Sequence, residues 1–518
     1  MRQPARWAAA GVVVGLLAAL ALFDLRLFIG GDNAYYIALT RALATGRGYV
    51  DLIAPADGPH TQYPPGFPLL LVPAWWLGGG ALFVLKLVSW VAAGFALAGT
   101  WALARRDPAV PPWAAAAAVW LLALYPVFLA YAHWTLSEMT FVAVSMWALW
   151  ALLRSGDDDR WNGAWLAGCL LALGGFAVRT AGITLIAAAV AWALLRRRWR
   201  RAGVAAAVAA LGVIPWILWS AQNPPPTGGY LEQVRASNPY DPASAPLGAG
   251  AVLGRAAQTV VHYALLEFPR LFWPFDGELP YAVRAFGFLL GGALLAIGVW
   301  RAIRARGIQT WDLHTFFALG MILIWPWRGD RFFLTIAPFV WLYLLVGLEH
   351  VARSVLQRAI VAQVTVAALA LFLLIGGMGK APEVWEINRR HLDGEELAGY
   401  TPFWRDYFEA ARWIGENAPD AVIVARKPTF AWYWSGGRPA FVYPFRTDYE
   451  ATWRMIREQG ATHVLFDPGG ATATYLIPAL QGHLDSIEAV HAAPNRLVYV
   501  LRIAPRPRPT PPDTLGTP

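Results

Sequence analysis

The chain is poor in charge. Only 14% of its 518 residues are Asp, Glu, Lys or Arg, against about 25% in a soluble domain. That scarcity excludes an ordinary soluble enzyme, and an apolar content of 57% excludes a disordered chain. Cysteine is almost missing. The single Cys169 excludes an intrachain disulfide scaffold and a cysteine-based metal site. Acidic residues number 33 against 42 basic ones, a net charge of +9. A surplus of that sign admits a nucleic-acid partner until the arginines are located. What the chain has in abundance is tryptophan, 28 copies, whose indole favours membrane–water interfaces. This is the composition of a polytopic membrane protein with some soluble portion.

A bilayer core about 30 Å thick needs roughly 20 apolar residues in a helix. Runs of that kind predict eleven spans, near 8–29, 80–104, 112–131, 137–153, 162–178, 181–195, 202–220, 281–300, 312–326, 332–350 and 359–379. The first follows Arg2 and Arg6 and is longer than a signal-peptide core, so it is expected to stay as an uncleaved anchor. Arg105 and Arg106, Arg154 and Arg160, the run 196–201, Arg301, Arg304 and Arg306, and Arg353 and Arg358 fall in alternate short loops. The positive-inside rule puts those loops and the N-terminus in the cytoplasm. Most of the positive charge is then a topology signal, and no nucleic-acid partner is expected. Eleven spans place the C-terminal region outside the cell (inner) membrane. Loops 30–79 and 221–280 and everything after Lys380 lie on that outer side. Elaborated loops on one face mark the face where the chemistry occurs.

The fold class expected is an α-helical membrane domain over 1–379, a small extracytoplasmic α/β domain over 380–503, and a Pro-rich disordered tail over 504–518. In the small domain, 421–425, 439–443, 463–467 and 497–503 read as buried strands, and 402–417, 447–459 and 473–481 as helices. Loop 221–280 opens on Asn223-Pro224-Pro225-Pro226 and holds an amphipathic stretch near 249–268, expected as an interfacial helix.

Five features meet at the outer face. Gly30-Gly31-Asp32-Asn33-Ala34-Tyr35-Tyr36 opens the first outer loop. Asp32 there suits a helix N-cap, or a base beside the Tyr35 and Tyr36 rings; the two roles are compatible. Tyr63-Pro64-Pro65-Gly66-Phe67-Pro68 is a rigid shape motif. His60 before it suits either polar surface or a metal ligand. His133-Trp134-Thr135-Leu136-Ser137-Glu138 begins the fourth span, and Glu138 there must face a protein cavity or cap the helix. Arg179, between the fifth and sixth spans, needs an acidic or phosphate partner at membrane depth. Arg328 and Arg331, in Trp327-Arg328-Gly329-Asp330-Arg331, suit either a lipid phosphate or interfacial anchoring. Carboxylates and arginines at one lipid interface suit the transfer of a group from a lipid-borne phosphate. The arginines hold the phosphate and a carboxylate takes the proton.

The order of Gly31-Asp32-Asn33-Ala34-Tyr35-Tyr36 and Tyr63-Pro64-Pro65-Gly66-Phe67-Pro68 resembles the start of the GT-C membrane glycosyltransferases, in the protein mannosyltransferase and aminoarabinose transferase branch. Leu136-Ser137-Glu138 and Arg331-Phe332-Phe333 are similar to later motifs of that family more loosely, and the resemblance covers about residues 8–350. It implies inverting transfer of a sugar from a polyprenyl-phosphate donor, on the extracytoplasmic face, to a glycan, lipid or protein acceptor. Asp32 then takes the place of the proposed base. Asp32 and Glu138 are the expected catalytic residues. Arg179, Arg328 and Arg331 are the expected donor-phosphate ligands, and Tyr35, Tyr36, His60 and Tyr63 the expected substrate contacts. Many relatives carry Asp-Glu where this chain has Asp32-Asn33, and some use a divalent metal. Beyond Asp32, His60 and Glu138 the sequence offers no metal ligands, so no cofactor is expected. The alternatives are a transporter or lipid flippase, and a non-catalytic membrane scaffold. A transporter would place its ionisable groups near the midplane in repeated halves.

Overall fold

The first apolar run does not stay helical to its end. In the computed structural model, which describes residues 2–156, 159, 162–225, 228–241, 244–355 and 357–504, helix α1 (Arg2–Ala21) stops well before residue 29. The next ten residues are stabilised as irregular backbone by side chains from elsewhere. Trp385 Nε1 donates to the Ala21 carbonyl at 2.7 Å, and Asn388 bonds both the Phe23 carbonyl (2.7 Å) and the Leu25 N–H (3.0 Å). Lys86, buried, donates to the carbonyls of Asp24 and Arg26. A backbone freed from a helix at this depth must find such partners. Asp32 is therefore separated from the first helix by this segment. The expectations for Arg160, for Pro226 and for the tail beyond 504 lie outside the described residues.

The helices that follow are α2 (Asn33–Ala44), α3 (Gly66–Gly78), α4 (Leu82–Ala104), α5 (Pro112–Ala123), α6 (Pro126–Tyr131), α7 (Ser137–Arg154), α8 (Gly163–Val178), α9 (Ile183–Leu195) and α10 (Trp199–Gln222). Then come α11 (Tyr230–Arg235), α12 (Ala249–His262), α13 (Tyr281–Arg306), α14 (Thr310–Ile324), α15 (Asp330–Leu334), α16 (Ala337–Ser354), α17 (Ala359–Met378) and α18 (Ala381–Leu392). Among the described residues five helices, α1, α4, α10, α13 and the one beginning at Ala359, are long and apolar enough to cross a membrane. Others are shorter than their apolar runs suggest. The run 112–131 breaks between α5 and α6 because Pro126 lacks an N–H and forces Tyr125 out of the helical region (φ −64°, ψ 121°). The run 332–350 is split at Thr335 and Ile336, ahead of Pro338. The amphipathic stretch of the second outer loop forms α12, which widens into a π-turn over 263–267.

Helices α13 and α16 approach most closely at two glycines. A Cβ on Gly298 would stand 1.8 Å from the Tyr343 carbonyl oxygen, and one on Gly347 would stand 2.0 Å from that of Leu294. Small residues let membrane helices gain van der Waals contact where burial supplies little force. At the end of α13, Arg306 is clasped by Asp312 through two bonds of 2.6 and 2.8 Å and pairs with Asp107 at 2.6 Å. This buried triad joins three helix ends and accounts for two acids in an otherwise apolar region.

The chain divides into two compact units. One holds 1–49 and 60–398, the other 50–59 and 399–518. The expected boundary at 380 is thus displaced: α18 belongs to the helical unit, and ten residues of the first outer loop belong to the other. That second unit has α19 (Pro402–Asn417), α20 (Pro428–Trp434), α21 (Tyr449–Glu458) and α22 (Ile477–Gln481). Loop residues 50–51 and 58–59 form a small antiparallel ladder, β1 and β2. The main sheet contains β3 (Ile423–Ala425), β4 (Ala440–Phe441), β5 (His463–Phe466), β6 (Ile487–Ala492) and β7 (Tyr499–Ile503), in the order β4-β3-β5-β7-β6. β4, β3 and β5 are parallel, and β7 and β6 run antiparallel to their neighbours. Strand β6 has no counterpart among the strands expected from sequence. It is an edge strand without a fully buried residue, so it lacks the buried apolar run that marks the others. Its hairpin with β7 is pinned by the buried Asp406 carboxylate, which accepts the N–H groups of Asn495 (3.1 Å) and Leu497 (2.9 Å).

The glycine contact gives a direct test. Gly347→Val is expected to force α13 from α16 and lower stability by about 1–3 kcal/mol. Thermal unfolding of the purified protein should show it, while Gly320→Ala, whose Cβ meets nothing within 4 Å, should leave the midpoint unchanged.

Candidate active site

Asp32 stands at the N-cap position of α2, yet its carboxylate caps nothing. It is drawn to Arg331, whose Nη2 donates to Asp32 Oδ2 at 2.9 Å. The same guanidinium donates from Nε to Glu138 Oε1 at 2.7 Å. Arg179 reaches that same oxygen from Nη1 at 2.6 Å. Two acids and two arginines from four separate segments thus form one linked quartet. Glu138 is fully buried, while Asp32 keeps 25% of its side chain exposed. The difference separates the two expected catalytic carboxylates. Glu138 is enclosed by its arginines and holds them; Asp32 is reachable.

Each member is placed by local chain geometry. Glu138 sits in the first turn of α7, which the chain enters from an extended Leu136 (φ −131°, ψ 151°). Arg179 ends α8 in extended conformation (φ −148°, ψ 136°), directing its side chain back toward the start of α7. The Pro-Pro-Gly-Phe-Pro motif contributes through Gly66. A Cβ there would lie 2.5 Å from the Ala177 carbonyl oxygen, so only glycine lets α3 dock beside the residues that carry Arg179. Arg331 leaves α15, and its guanidinium carbon and that of Arg179 both lie over the Phe332 ring, at 5.4 and 6.0 Å.

The donor inventory is uneven. Arg331 Nη1, and Nε and Nη2 of Arg179, make no hydrogen bond to a protein acceptor among the described residues. The buried Glu138 Oε2 likewise has no partner there. Arg179 also donates to Ser137 Oγ at 3.3 Å, and Ser137 Oγ lies 3.1 Å from the Tyr36 hydroxyl. Burial, reinforced by Asp32, pushes the Tyr36 phenol upward, so it remains protonated. Tyr63 packs on Tyr35 (5.5 Å), Tyr36 (5.2 Å) and His60 (5.4 Å), forming an aromatic wall next to α2. His60 is neither polar surface nor a ligand waiting for a metal. It is buried, and its Nε2 accepts the Tyr63 N–H at 3.0 Å.

Arg328 does not join the quartet. It donates to Thr259 Oγ1 and Gln258 Oε1 of α12, both at 3.2 Å. A second polar group lies beside it. Asp330 Oδ1 accepts the Tyr131 hydroxyl at 3.1 Å, and Arg270 lies 3.4 Å from Glu267 and 3.8 Å from Asp330. His262 Nε2 is 3.2 Å from Glu267. Sequence reasoning missed Ser137, Tyr131, Glu267 and Arg270 as parts of the site. Glu267 and Arg270 stand three apart at the end of the amphipathic stretch, the only signal that could have found them.

The quartet does not fit a divalent metal. Among the described residues no group of three His, Cys, Asp or Glu side chains converges. Arg331 already supplies both carboxylates with the positive charge that such an ion would bring.

Residues 62–219 match the family described as dolichyl-phosphate-mannose-protein mannosyltransferase. No curated protein matches the chain. The fold is similar to that of ArnT from Cupriavidus metallidurans bound to undecaprenyl phosphate, with 16% identity, 96% of this chain and 97% of that one covered, and a TM-score of 0.58. It is also similar to the archaeal oligosaccharyltransferase AglB from Archaeoglobus fulgidus, in complex with an inhibitory peptide and a dolichol-phosphate. The identity is 15%, with 89% and 69% covered and a TM-score of 0.52. The arabinofuranosyltransferase AftD from Mycobacteria matches at 14% identity, 96% and 42% coverage and a TM-score of 0.50. The resemblance to GT-C glycosyltransferases that the motifs implied is therefore present in the fold, and the family matched over 62–219 is one of glycosyltransferases.

The second polar group carries a pH signature. Burial, with Asp330 adding to it, pushes the Glu267 carboxyl up from 4.5 to about 7. A raised folded-state value favours the protonated form, so its stabilisation is complete below 4.5 and lost as pH rises through about 7. The wild-type thermal midpoint is expected to fall by about 2–4 °C between pH 5.5 and 8.5. Glu267→Gln should flatten that fall, as measured by thermal unfolding at each pH.

Proposed function

We propose that this chain is an inverting glycosyltransferase that moves a sugar from a polyprenyl-phosphate donor to an acceptor on the extracytoplasmic face of the membrane. The observation that carries the reading is the set of unused arginine donors beside a reachable Asp32. Three N–H-bearing nitrogens remain on two guanidiniums that one buried carboxylate holds together. Guanidinium donors match phosphate oxygens in geometry and charge. Arg179 and Arg331 bind the donor phosphate and stabilise it as it leaves. Asp32 accepts the proton of the attacking hydroxyl or amine.

The reaction balances as a single displacement. The acceptor atom bonds to the anomeric carbon as the bond from that carbon to the phosphate oxygen breaks. The electron pair goes to the polyprenyl phosphate and the acceptor proton to Asp32. Attack from the face opposite the phosphate inverts the anomeric centre. Glu138 acts as a positioning residue, because its bonded oxygen is committed to both arginines. The Tyr36 hydroxyl, linked to Arg179 through Ser137, adds a second hold on the nitrogen that pairs with Glu138.

Placement of this chemistry outside the cell membrane rests on the arginine-rich loops, which assign the N-terminus and the opposite helix ends to the cytoplasm. Eleven crossings then put the C-terminal unit outside. The undecaprenyl phosphate held by ArnT and the dolichol-phosphate held by AglB support a polyprenyl-phosphate donor here. The ion cluster lies at helix ends, and the transporter reading has no observation in its favour.

Asp32→Asn in protein reconstituted into lipid should cut sugar transfer about 10²–10⁴-fold. Binding of undecaprenyl phosphate should be retained. Arg179→Gln with Arg331→Gln should abolish that binding. Near-normal transfer by Asp32→Asn, read as released polyprenyl phosphate, would sink the base assignment.

A further inference from the structure

The three parallel strands of the second unit end in a feature that sugar transfer does not use. Strand β3 stands in the middle and continues through α20 to β4 on one side. Strand β5, on its other side, leads away through residues 472–481 to β6 and β7. Connections that leave two neighbouring parallel strands in opposite directions open a crevice at their carboxyl ends, where α/β sheets bind ligands. Arg426 is the first residue past β3, and Asp467 the first past β5. They meet in that crevice.

Their geometry is that of a held donor. Arg426 Nε lies 3.2 Å from Asp467 Oδ1 and 3.0 Å from Oδ2. The carboxylate is fully buried, whereas the arginine side chain keeps 22% of its surface exposed. Thr472 donates to Asp467 at 3.2 Å and lies 2.8 Å from the Tyr443 hydroxyl, so the acid is itself fixed. The Phe403 ring lies 5.7 Å from the guanidinium carbon. Neither terminal nitrogen of Arg426 bonds a protein acceptor among the described residues. Freezing an arginine costs side-chain entropy, and burying a carboxylate to do so costs several kcal/mol more. A partly exposed pair recovers little of that through stability alone. The arrangement is explained by what it leaves in place: two terminal donors on a held, partly exposed guanidinium, with exposed Lys427 next in the chain and the exposed Pro468-Gly469-Gly470 segment directly after Asp467.

We propose that this crevice is a second binding site, which takes an oxyanion group, phosphate or carboxylate, on a water-soluble ligand. The paired terminal nitrogens bind two oxygens at once, the geometry that guanidinium offers best. Tight contact over the loop is possible because a side chain at Gly469 would meet nothing within 4 Å.

The test is hydrogen–deuterium exchange of the full-length protein in lipid nanodiscs. The probes are glucose 1-phosphate and glucuronate, with glucose as the neutral control. Both anions, or one of them, should slow exchange in peptides covering 424–430 and 465–473, and the pattern tells phosphate from carboxylate. Glucose should not. Arg426→Gln should weaken the effect more than tenfold in ligand concentration. Because that variant leaves Asp467 buried and unpaired, Gly469→Asp provides a second arm. It keeps the Arg426–Asp467 pair, sets a negative charge at the mouth, and should weaken binding to a similar degree. Protection by neither anion, equal protection by glucose, or undiminished protection in Gly469→Asp overturns the proposal.

Discussion

One oxygen atom holds the helical unit's polar centre together. Glu138 Oε1 receives Arg179 at 2.6 Å and Arg331 at 2.7 Å. Two guanidiniums brought this close repel by about 4 kcal/mol at an effective dielectric of 20. Without the shared anion they would part. With it, the end of α8, the start of α7 and the short α15 are tied to one point, and Arg331 carries the tie on to Asp32 ahead of α2. The cost of burying Glu138 is met by two charge-assisted bonds, and removing one partner of such a pair costs about 3–5 kcal/mol. The carboxylate that looks most embedded thus holds the arginines in place, while the one at the rim stays reachable, as the proposed base requires.

The quartet is neutral as a set, two acids against two bases. A phosphate in the proposed donor site would therefore be attracted by directed donors more than by net charge. The overall +9 of the chain lies largely outside this quartet, in the arginine-rich loops. A centre built this way discriminates by the position of oxygens, and hydrogen bonds to charged groups supply that directionality.

Much of the site was legible because charge in an apolar chain must be explained. Asp32, Glu138, Arg179 and Arg331 each stood out as ionisable residues at the edge of a hydrophobic run, and they are the four that meet. Arg328 stood out equally and goes to α12, since it precedes α15 and is separated from Arg331 by Gly329, whose φ of 151° turns the chain between them. Ser137 and Tyr131 carry no net charge and gave no signal. The fold was legible where periodicity is strong, as in α13 and α19. It was not where side chains far away in sequence decide the outcome. Residues 22–29 read as helix until Asn388 and Lys86 offer their backbone other partners. Edge strand β6 has no buried face to announce it. The boundary between the units was misread at 380 because amphipathic α18 resembles soluble composition, yet its Trp385 and Asn388 serve α1.

The ten residues 50–59 sit in the first outer loop by sequence and in the C-terminal unit by packing, where the Ala440 N–H donates to the Ile53 carbonyl. The polypeptide consequently passes from one unit to the other three times, after 49, after 59 and after 398. The C-terminal unit is not an appendix added behind a finished membrane core. Severed at 399, it would lose the segment that borders β4, and the membrane part would keep a loop with nothing to lie on. In synthesis, that loop emerges about 380 residues before β4, the strand it borders, so the unit closes only once nearly the whole chain has been made.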